Sequence, residues 1–317
     1  MASSVIIIIG PTASGKTFLA EHAAIHYNGH IINADMGQFY TPLTIGTAKP
    51  AWRDKPFKCH LFDVIDTPET IDVKRYRHMV QTTVNDCLAQ HTLPIIVGGS
   101  LFYVQSLFFP PHDIECNGEE LPIDFETDTE TLWNMLNAID SERAQALHPN
   151  DRYRIVRALK IWQTTHQKPS TLKPCYNAPF TTPTHIIALE PSREELCERI
   201  QQRTTNMIYQ EGWLEETETL LDTPWELFVQ QRGFIGYTEI ISWIRAGKNR
   251  DSLPELIALI SQKTQQYAKR QVTFWHKLEK LLVPHRDTTL NIDTLPTTGE
   301  TSLAILDDLC QKLNIFK

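Results

Sequence analysis

The sequence predicts a doubly wound α/β fold, a parallel sheet wrapped by crossover helices, with a helical insertion. Two observations predict it. Short β-branched runs recur between stretches of helical spacing, the alternation expected of a parallel sheet with crossover connections. A long middle segment has helical spacing and no convincing strand. The 317 residues suffice for one large α/β domain carrying an inserted subdomain.

Val5 to Ile9 is a β-branched run ended by Gly10, the pattern of a fully buried parallel strand feeding a helix. His30 to Ala34, Leu93 to Val97 before Gly98 and Gly99, and His185 to Leu189 repeat it, with helical pattern between them. Between the third and fourth runs, 111–182 shows helical spacing in Leu132, Trp133 and Leu136 and again in Ile155, Val156, Leu159 and Trp162, bounded by Pro110-Pro111 and Pro183. The expected organisation is therefore 1–110 as the first part of the core, 111–182 as the helical insertion, and 183–317 as a return strand with C-terminal helices. Ser192 with Glu195 three residues on is a capping-box start for the helical remainder. The Thr-rich 288–301 stretch is expected as a loop.

Apolar residues make up 41% and charged residues 21%, enough for a core and too little for membrane spans. No positively charged leader with a cleavage site precedes the first strand, so a cytoplasmic protein without membrane attachment is expected. Six scattered cysteines never form a C-x-x-C pair, so neither a disulfide framework nor a zinc site is expected from spacing. A net charge of −8 argues against nucleic acid, but the charge is segregated. The 113–142 stretch holds ten carboxylates. The next one, 143–174, holds Arg143, Arg152, Arg154, Arg157, Lys160, Lys168 and Lys173 against Asp151 alone. Such segregation builds local fields, although a solvated helix face would look the same.

Gly10, Pro11, Thr12, Ala13, Ser14, Gly15, Lys16 and Thr17 match G-x-x-x-x-G-K-[ST] between a strand and an apolar-periodic helix, the setting a P-loop requires. Backbone amides at the helix start would bind phosphate oxygens, Lys16 would add a positive charge, and the Thr17 hydroxyl suits Mg²⁺. The core is thus expected to be P-loop, nucleoside-kinase-like. A hydrolytic NTPase would end a second apolar strand in a Mg²⁺-holding Asp, whereas 93–97 runs into Gly98-Gly99-Ser100, which disfavours a motor-type ATPase. Asp35 closes the second strand, where ligands collect in open parallel sheets. It is either a turn or N-cap residue, a holder of Mg²⁺ water, or a general base.

Further signatures come in order: Ile45 to Pro50, His60 to Asp63, Gly98 to Tyr103, His148 to Asp151 with Arg154 and Arg157, Gly236-Tyr237 with Glu239, and Tyr267 to Gln271. From residue 5 to about 277 the chain resembles the bacterial tRNA dimethylallyltransferases. The resemblance implies transfer of a dimethylallyl group from dimethylallyl diphosphate to the exocyclic N6 of adenosine at position 37 of tRNA, beside the anticodon, by a cytoplasmic, monomeric enzyme using Mg²⁺. It implies that the P-loop holds the diphosphate, that Asp35, Lys16 and Ser100 are catalytic, and that Asp35 accepts a hydrogen bond or proton from N6. It further implies that Asp35, Met36, Gly37, Gln38, Ser100, Tyr153, Arg154, Ile155, Val156, Arg157, Gly236 and Tyr237 meet the anticodon stem-loop, with Thr17 on the metal. The Lys269-Arg270 pair falls at positions facing RNA or the sheet.

The chain departs from the family pattern in places. Ser100 replaces Thr and keeps a hydroxyl, Met36 replaces a polar residue, and Thr41 stands where Arg is common. Gln265 replaces Arg, Leu101 a small residue, and Cys59 the first His of a pair, while the acidic 113–142 stretch lacks an Arg. Two alternatives stand beside the main expectation. One is an adenylate isopentenyltransferase acting on free AMP, ADP or ATP, and the other is a small-molecule P-loop kinase.

Overall fold

Five consecutive β-branched residues need apolar cover on both faces, and Val5–Ile9 (β1) lies fully buried inside a six-stranded, all-parallel sheet. The computed structural model describes residues 4–111, 127–172, 175–287, 289–296 and 300–312. The other strands are Gly29–Asn33 (β2), Cys59–His60 (β3), Leu93–Gly98 (β4), Thr184–Leu189 (β5) and Leu290–Leu295 (β6), in spatial order β3-β2-β4-β1-β5-β6. The helices are Lys16–His26 (α1), Val73–Ala89 (α2), Leu101–Phe108 (α3), Thr129–Ile139 (α4), Ser141–Gln145 (α5), Arg152–Thr165 (α6), Arg193–Tyr209 (α7), Trp213–Glu218 (α8), Pro224–Arg232 (α9), Tyr237–Arg245 (α10), Leu253–Leu282 (α11) and Glu300–Lys312 (α12).

The chain divides into two compact units, one of residues up to Phe108 together with those from Ala178 onward, the other Phe109–Asn177. In the larger unit, Ile6, Ile8, Ile31, Ile95 and Ile187 join Leu19, Ala20 and Ala23 of α1 and Leu306 of α12 in one apolar cluster. Alternate strand residues Ile7, Ile9, Ile32 and Ile96 are equally buried, as expected when both faces of a sheet are covered. Burying strands this apolar supplies much of the fold's stability, at about 25 cal/mol per Å² of apolar surface removed from water. No helix of the described residues is long and apolar enough to cross a membrane.

The four expected strands are all present, and two more join them. Leu290–Leu295 lies within the stretch expected as a loop, yet it pairs with β5 from Thr184↔Leu290 to Leu189↔Leu295. Its alternation of buried Leu290 and Ile292 is broken by the polar residues an edge strand tolerates, which disguised it. Residues 288 and 297–299 of that stretch lie outside the described residues. Strand β3 is two residues long, too short to carry any periodicity.

The smaller unit is built on α4, α5 and α6, whose Leu132, Leu136, Ala144, Leu147, Ile155, Ala158 and Leu159 form its core. Asp128 caps α4 by accepting from the Thr131 amide at 2.9 Å, and Asp140 caps α5 from the Arg143 amide at 3.1 Å. Two of the ten carboxylates of 113–142 therefore close helix starts. Those at 113–126 lie outside the described residues.

Candidate active site

Strand register sets the site. Ile9 pairs with Gly98 and Asn33 with Val97, so Gly10, Ala34 and Gly99 leave the sheet at one level along its carboxyl edge. Such an edge is where open α/β sheets take ligands. The Ala34 amide donates to the Val97 carbonyl at 2.7 Å and the Ser100 amide to the Ala34 carbonyl at 3.2 Å, tying the two exits together. Gly98 is required there, since a Cβ would land on the Ala34 backbone carbonyl.

The loop between β1 and α1 delivers its amides to this edge. Gly15 takes φ of +88° as it enters α1, a left-handed conformation that glycine adopts without steric penalty. The Thr12 amide donates to Gln271 Oε1 at 2.8 Å, and Gln271 Nε2 donates to the Gly99 carbonyl at 2.9 Å. One buried side chain from α11 thus splints the P-loop to the loop after β4. The Ser14 hydroxyl is fully buried and has no hydrogen-bond partner among the described residues. Lys16 Nζ donates to the Pro11 carbonyl at 2.6 Å. Burial pulls the Lys16 ammonium down to about 8 against the opposing pull of Asp35, with Arg203 pushing the same way as burial.

Asp35 does serve as a cap, its Oδ1 accepting from the Gly37 amide at 3.2 Å. It is more than a turn-former. Burial raises its pKa above the ordinary carboxylate range, and Lys16, the Gly37 amide, Arg203 and the Gly99 amide only partly offset that. Asn33 orients the segment by accepting from the Asp35 amide at 2.8 Å and donating to the Leu61 carbonyl at 3.0 Å. Ser100 Oγ accepts from the Met36 amide at 2.9 Å, so this hydroxyl positions the Asp35 turn.

A cavity of about 540 Å³ opens at this edge, lined by Thr12, Lys16, Thr17, Asp35 and Gln38, with Phe62, Val97 and Pro50 as apolar wall and Arg203 from α7. It pairs a cationic end with an apolar side and the half-buried carboxyl of Asp35. An anionic leaving group, a hydrocarbon and a weakly acidic N–H would each find a matching surface there.

The 44–48 loop forms another wall through Thr47 and Ala48. Glu216 of α8 holds it by accepting from the amides of Thr44 (3.0 Å), Ile45 (2.7 Å) and Gly46 (3.1 Å) and from the Tyr237 hydroxyl (2.6 Å). Gln38 Nε2 adds a bond to the Thr47 carbonyl at 3.1 Å.

A family model described as IPP transferase matches residues 38–278. The chain belongs to the IPP transferase family. It is 33% identical over 300 residues to the tRNA dimethylallyltransferase of Acetivibrio thermocellus, covering 90% of this chain and 92% of that one. It is 34% identical over 278 residues to that of Bacillus pumilus, covering 86% of each. Among solved structures it resembles a eukaryotic dimethylallyltransferase acting on tRNA, with a TM-score of 0.77 and 25% identity over 98% of this chain and 80% of that one. It also resembles the tRNA isopentenylpyrophosphate transferase of Staphylococcus epidermidis, with a TM-score of 0.61 and 26% identity over 98% and 99%.

Within this family member, Gly10 to Thr17, Asp35 to Gln38 and Ser100 come together at one sheet edge. Gly236 and Tyr237 do not reach a surface. Tyr237 is fully buried against Trp213, burial together with Glu216 holds its hydroxyl well above the ordinary phenol range, and a Cβ on Gly236 would strike the Trp213 ring. Both therefore pack behind the 44–48 loop, and any part they play toward RNA runs through that loop. Residues 153–157 lie on α6 of the smaller unit, where Tyr153 is 73% exposed. Arg154 and Arg157 are also exposed, but Ile155 is fully buried in the unit's core and Val156 packs partly against it. The helical period turns Ile155 inward and leaves Val156 half-buried at the edge of the exposed face. Arg154 is ion-paired with Asp151, the N-cap of α6, while Arg157 has no ionic partner among the described residues.

Three contributors escaped sequence reasoning. Gln271 stood inside a recognised signature without an assigned role. Arg203 and Glu216 lie in the C-terminal helical region, on helices to which sequence reasoning assigns no site residue, and the packing of α7 and α8 brings them to the cavity and its wall.

Proposed function

We propose that this chain transfers a dimethylallyl group from dimethylallyl diphosphate to N6 of an adenosine in tRNA, at position 37 beside the anticodon, and releases diphosphate. The observation that carries this reading is the shared cavity of the P-loop ammonium Lys16 and the half-buried carboxyl of Asp35. The relatives' names support it.

The P-loop amides, Lys16 and Arg203 bind the diphosphate, and Phe62, Val97 and Pro50 shelter the hydrocarbon. The adenine is a weak nucleophile through N6, so orientation and proton removal carry the catalysis. The N6 nitrogen bonds to the allylic carbon, the C–O bond to diphosphate breaks with its electron pair, and the N6 proton passes to Asp35. Desolvation makes Asp35 a stronger base than a surface carboxylate, and charge developing on the leaving oxygens is met by donors already in place. The oxygen donors of Thr17 and Asp35 fit a hard cation, and Thr17 would hold a Mg²⁺, which when bound would supply charge neutralisation at the leaving group. An adenosine stacked in an anticodon loop must be flipped out to enter, and the exposed cations of α6 suit RNA phosphates.

The test is mass-resolved transfer from dimethylallyl diphosphate to bulk tRNA, run beside AMP and ATP as acceptors and beside ATP turnover. Prenylated tRNA, lost in Lys16→Ala, is expected. Prenylation of free nucleotide in preference to tRNA, or ATP turnover without prenyl transfer, would overturn the reading in favour of the nucleotide-prenylating or kinase alternative.

A further inference from the structure

A second cluster of chemically capable side chains lies at the opposite end of β2, five residues before Asp35 and so about 16 Å away along the strand. His30 Nδ1 is 3.2 Å from His60 Nε2 and 3.6 Å from Cys87 Sγ, and the three ligand atoms all lie within 4.8 Å of one another. They come from three elements, β2, β3 and the last turn of α2. Cys87 and His30 are buried and His60 is half-buried.

We propose that His30, His60 and Cys87 form a zinc site that staples the edge strand β3 to β2 and α2. The spacing of the donor atoms fits such an ion. With Zn–N near 2.0–2.1 Å and Zn–S near 2.3 Å, the edges of a tetrahedral site are about 3.3 Å between nitrogens and about 3.6 Å between nitrogen and sulfur. Two of the three separations match these edges, and the third, His60 Nε2 to Cys87 Sγ, lies within 4.8 Å, so closing that edge is the side-chain shift an ion requires.

An imidazole–imidazole–thiol chain could be only a hydrogen-bonded row. Yet His30 Nδ1 is then asked to serve both neighbours with a single proton or lone pair, a conflict that one ion bonded to all three atoms removes. Soft thiolate with two imidazoles suits zinc over the magnesium expected at the P-loop.

Three protein ligands leave a fourth position. A cavity of about 920 Å³ lined by His30 and His60 gives access for the ion and a water ligand. Of the cations beside it, Arg53 is matched to Asp63 at 2.8 Å and Lys55 to Glu21 at 2.7 Å, while Lys58, which disfavours the charged form of both histidines, bonds the neutral Gln90 at 3.4 Å. On binding, the Cys87 S–H bond is lost as S–Zn forms, and the proton leaves to solvent.

The site has structural work to do. Strand β3 is held to β2 by only two residue pairs, Ile31↔Cys59 and Ile32↔His60. It continues directly into Phe62 of the cavity wall, and Asp63 beyond it pairs with the buried Lys49.

The experiment is titration of the chelator-treated full chain with Zn(II) against a chromophoric competitor, followed by Co(II) loading. One Zn(II) per chain is expected, with a thiolate-to-Co(II) charge-transfer band. A rise in Tm of about 5 °C is expected at a hundredfold excess over Kd. Cys87→Ser and His60→Gln should each weaken binding beyond the roughly 10–100-fold lost with an outer partner, whereas Cys59→Ser should not. His60→Gln, at a half-buried position, covers the case in which Cys87→Ser fails to fold. No stoichiometric binding, or binding that survives His60→Gln, or loss of the charge-transfer band in Cys59→Ser, would overturn the proposal.

Discussion

Asp35 and Lys16 sit in one crevice with their pKa values displaced in opposite directions by the same cause. Burial raises the carboxyl and lowers the ammonium to about 8, and each partly restrains the other. The proposed reaction needs Asp35 ionised and Lys16 charged. Its kcat/KM should therefore fall toward acid below the raised Asp35 value and fall toward alkali above about 8, the alkaline limb appearing chiefly as weaker binding of dimethylallyl diphosphate. Measuring kcat/KM from pH 5 to 10 checks both limbs. Asp35→Asn should cut turnover about 10²–10⁴-fold, the range for a positioned base. A carboxyl whose folded pKa is raised favours the folded state at low pH and loses that contribution as pH rises through the folded value. Asp35→Asn should accordingly raise Tm at pH 7, with the gain shrinking near pH 4. Unchanged turnover in this variant would remove Asp35 from the mechanism.

At the scale of elements, the cavity wall is a short loop that depends on a helix distant in sequence. Glu216 of α8 accepts three consecutive amides of 44–46 and the Tyr237 hydroxyl, and Trp213 of the same helix packs where Gly46 and Gly236 have no side chain. Replacing Glu216 by Gln puts an NH₂ group against donors it cannot accept from, which should cost about 1–3 kcal/mol of stability. The same change frees Thr47 and Ala48 at the cavity, so the KM for tRNA should rise more than kcat falls. Urea midpoints and steady-state kinetics on Glu216→Gln read the two effects separately. A change in stability with no change in KM would limit Glu216 to folding.

For the whole molecule, the question is how a chain of net charge −8 holds a polyanion. Screening over about 8 Å at physiological ionic strength lets a local basic face outweigh the distant acids at contact. The structure divides the two arginines of that face. Arg154 is committed to Asp151, whereas Arg157 is exposed and unpaired among the described residues. Arg157→Ala should thus flatten the log Kd against log salt slope for tRNA by about 1, and Arg154→Ala should flatten it less while lowering Tm slightly. Filter binding across a salt series measures the slope. If neither variant changes it, α6 is not the RNA-facing element.

Sequence alone determined the parallel core strands and the P-loop, because β-branched runs and glycine-spaced phosphate loops are local patterns whose physics is complete within a few residues. It also put Asp35 at a strand end, since chain order fixes which residue comes next after a strand. It missed β6 because edge strands tolerate polar residues, and β3 because two residues have no period. It could not say that Ile155, Gly236 and Tyr237 lie buried, because a motif names neighbours in the chain without saying which of them packing turns inward. Only the tertiary structure could bring Gln271 to Thr12, 259 residues away, Glu216 to Ile45, or Cys87 to His30. Those contacts are decided by strand order and helix packing, and sequence spacing holds no record of them.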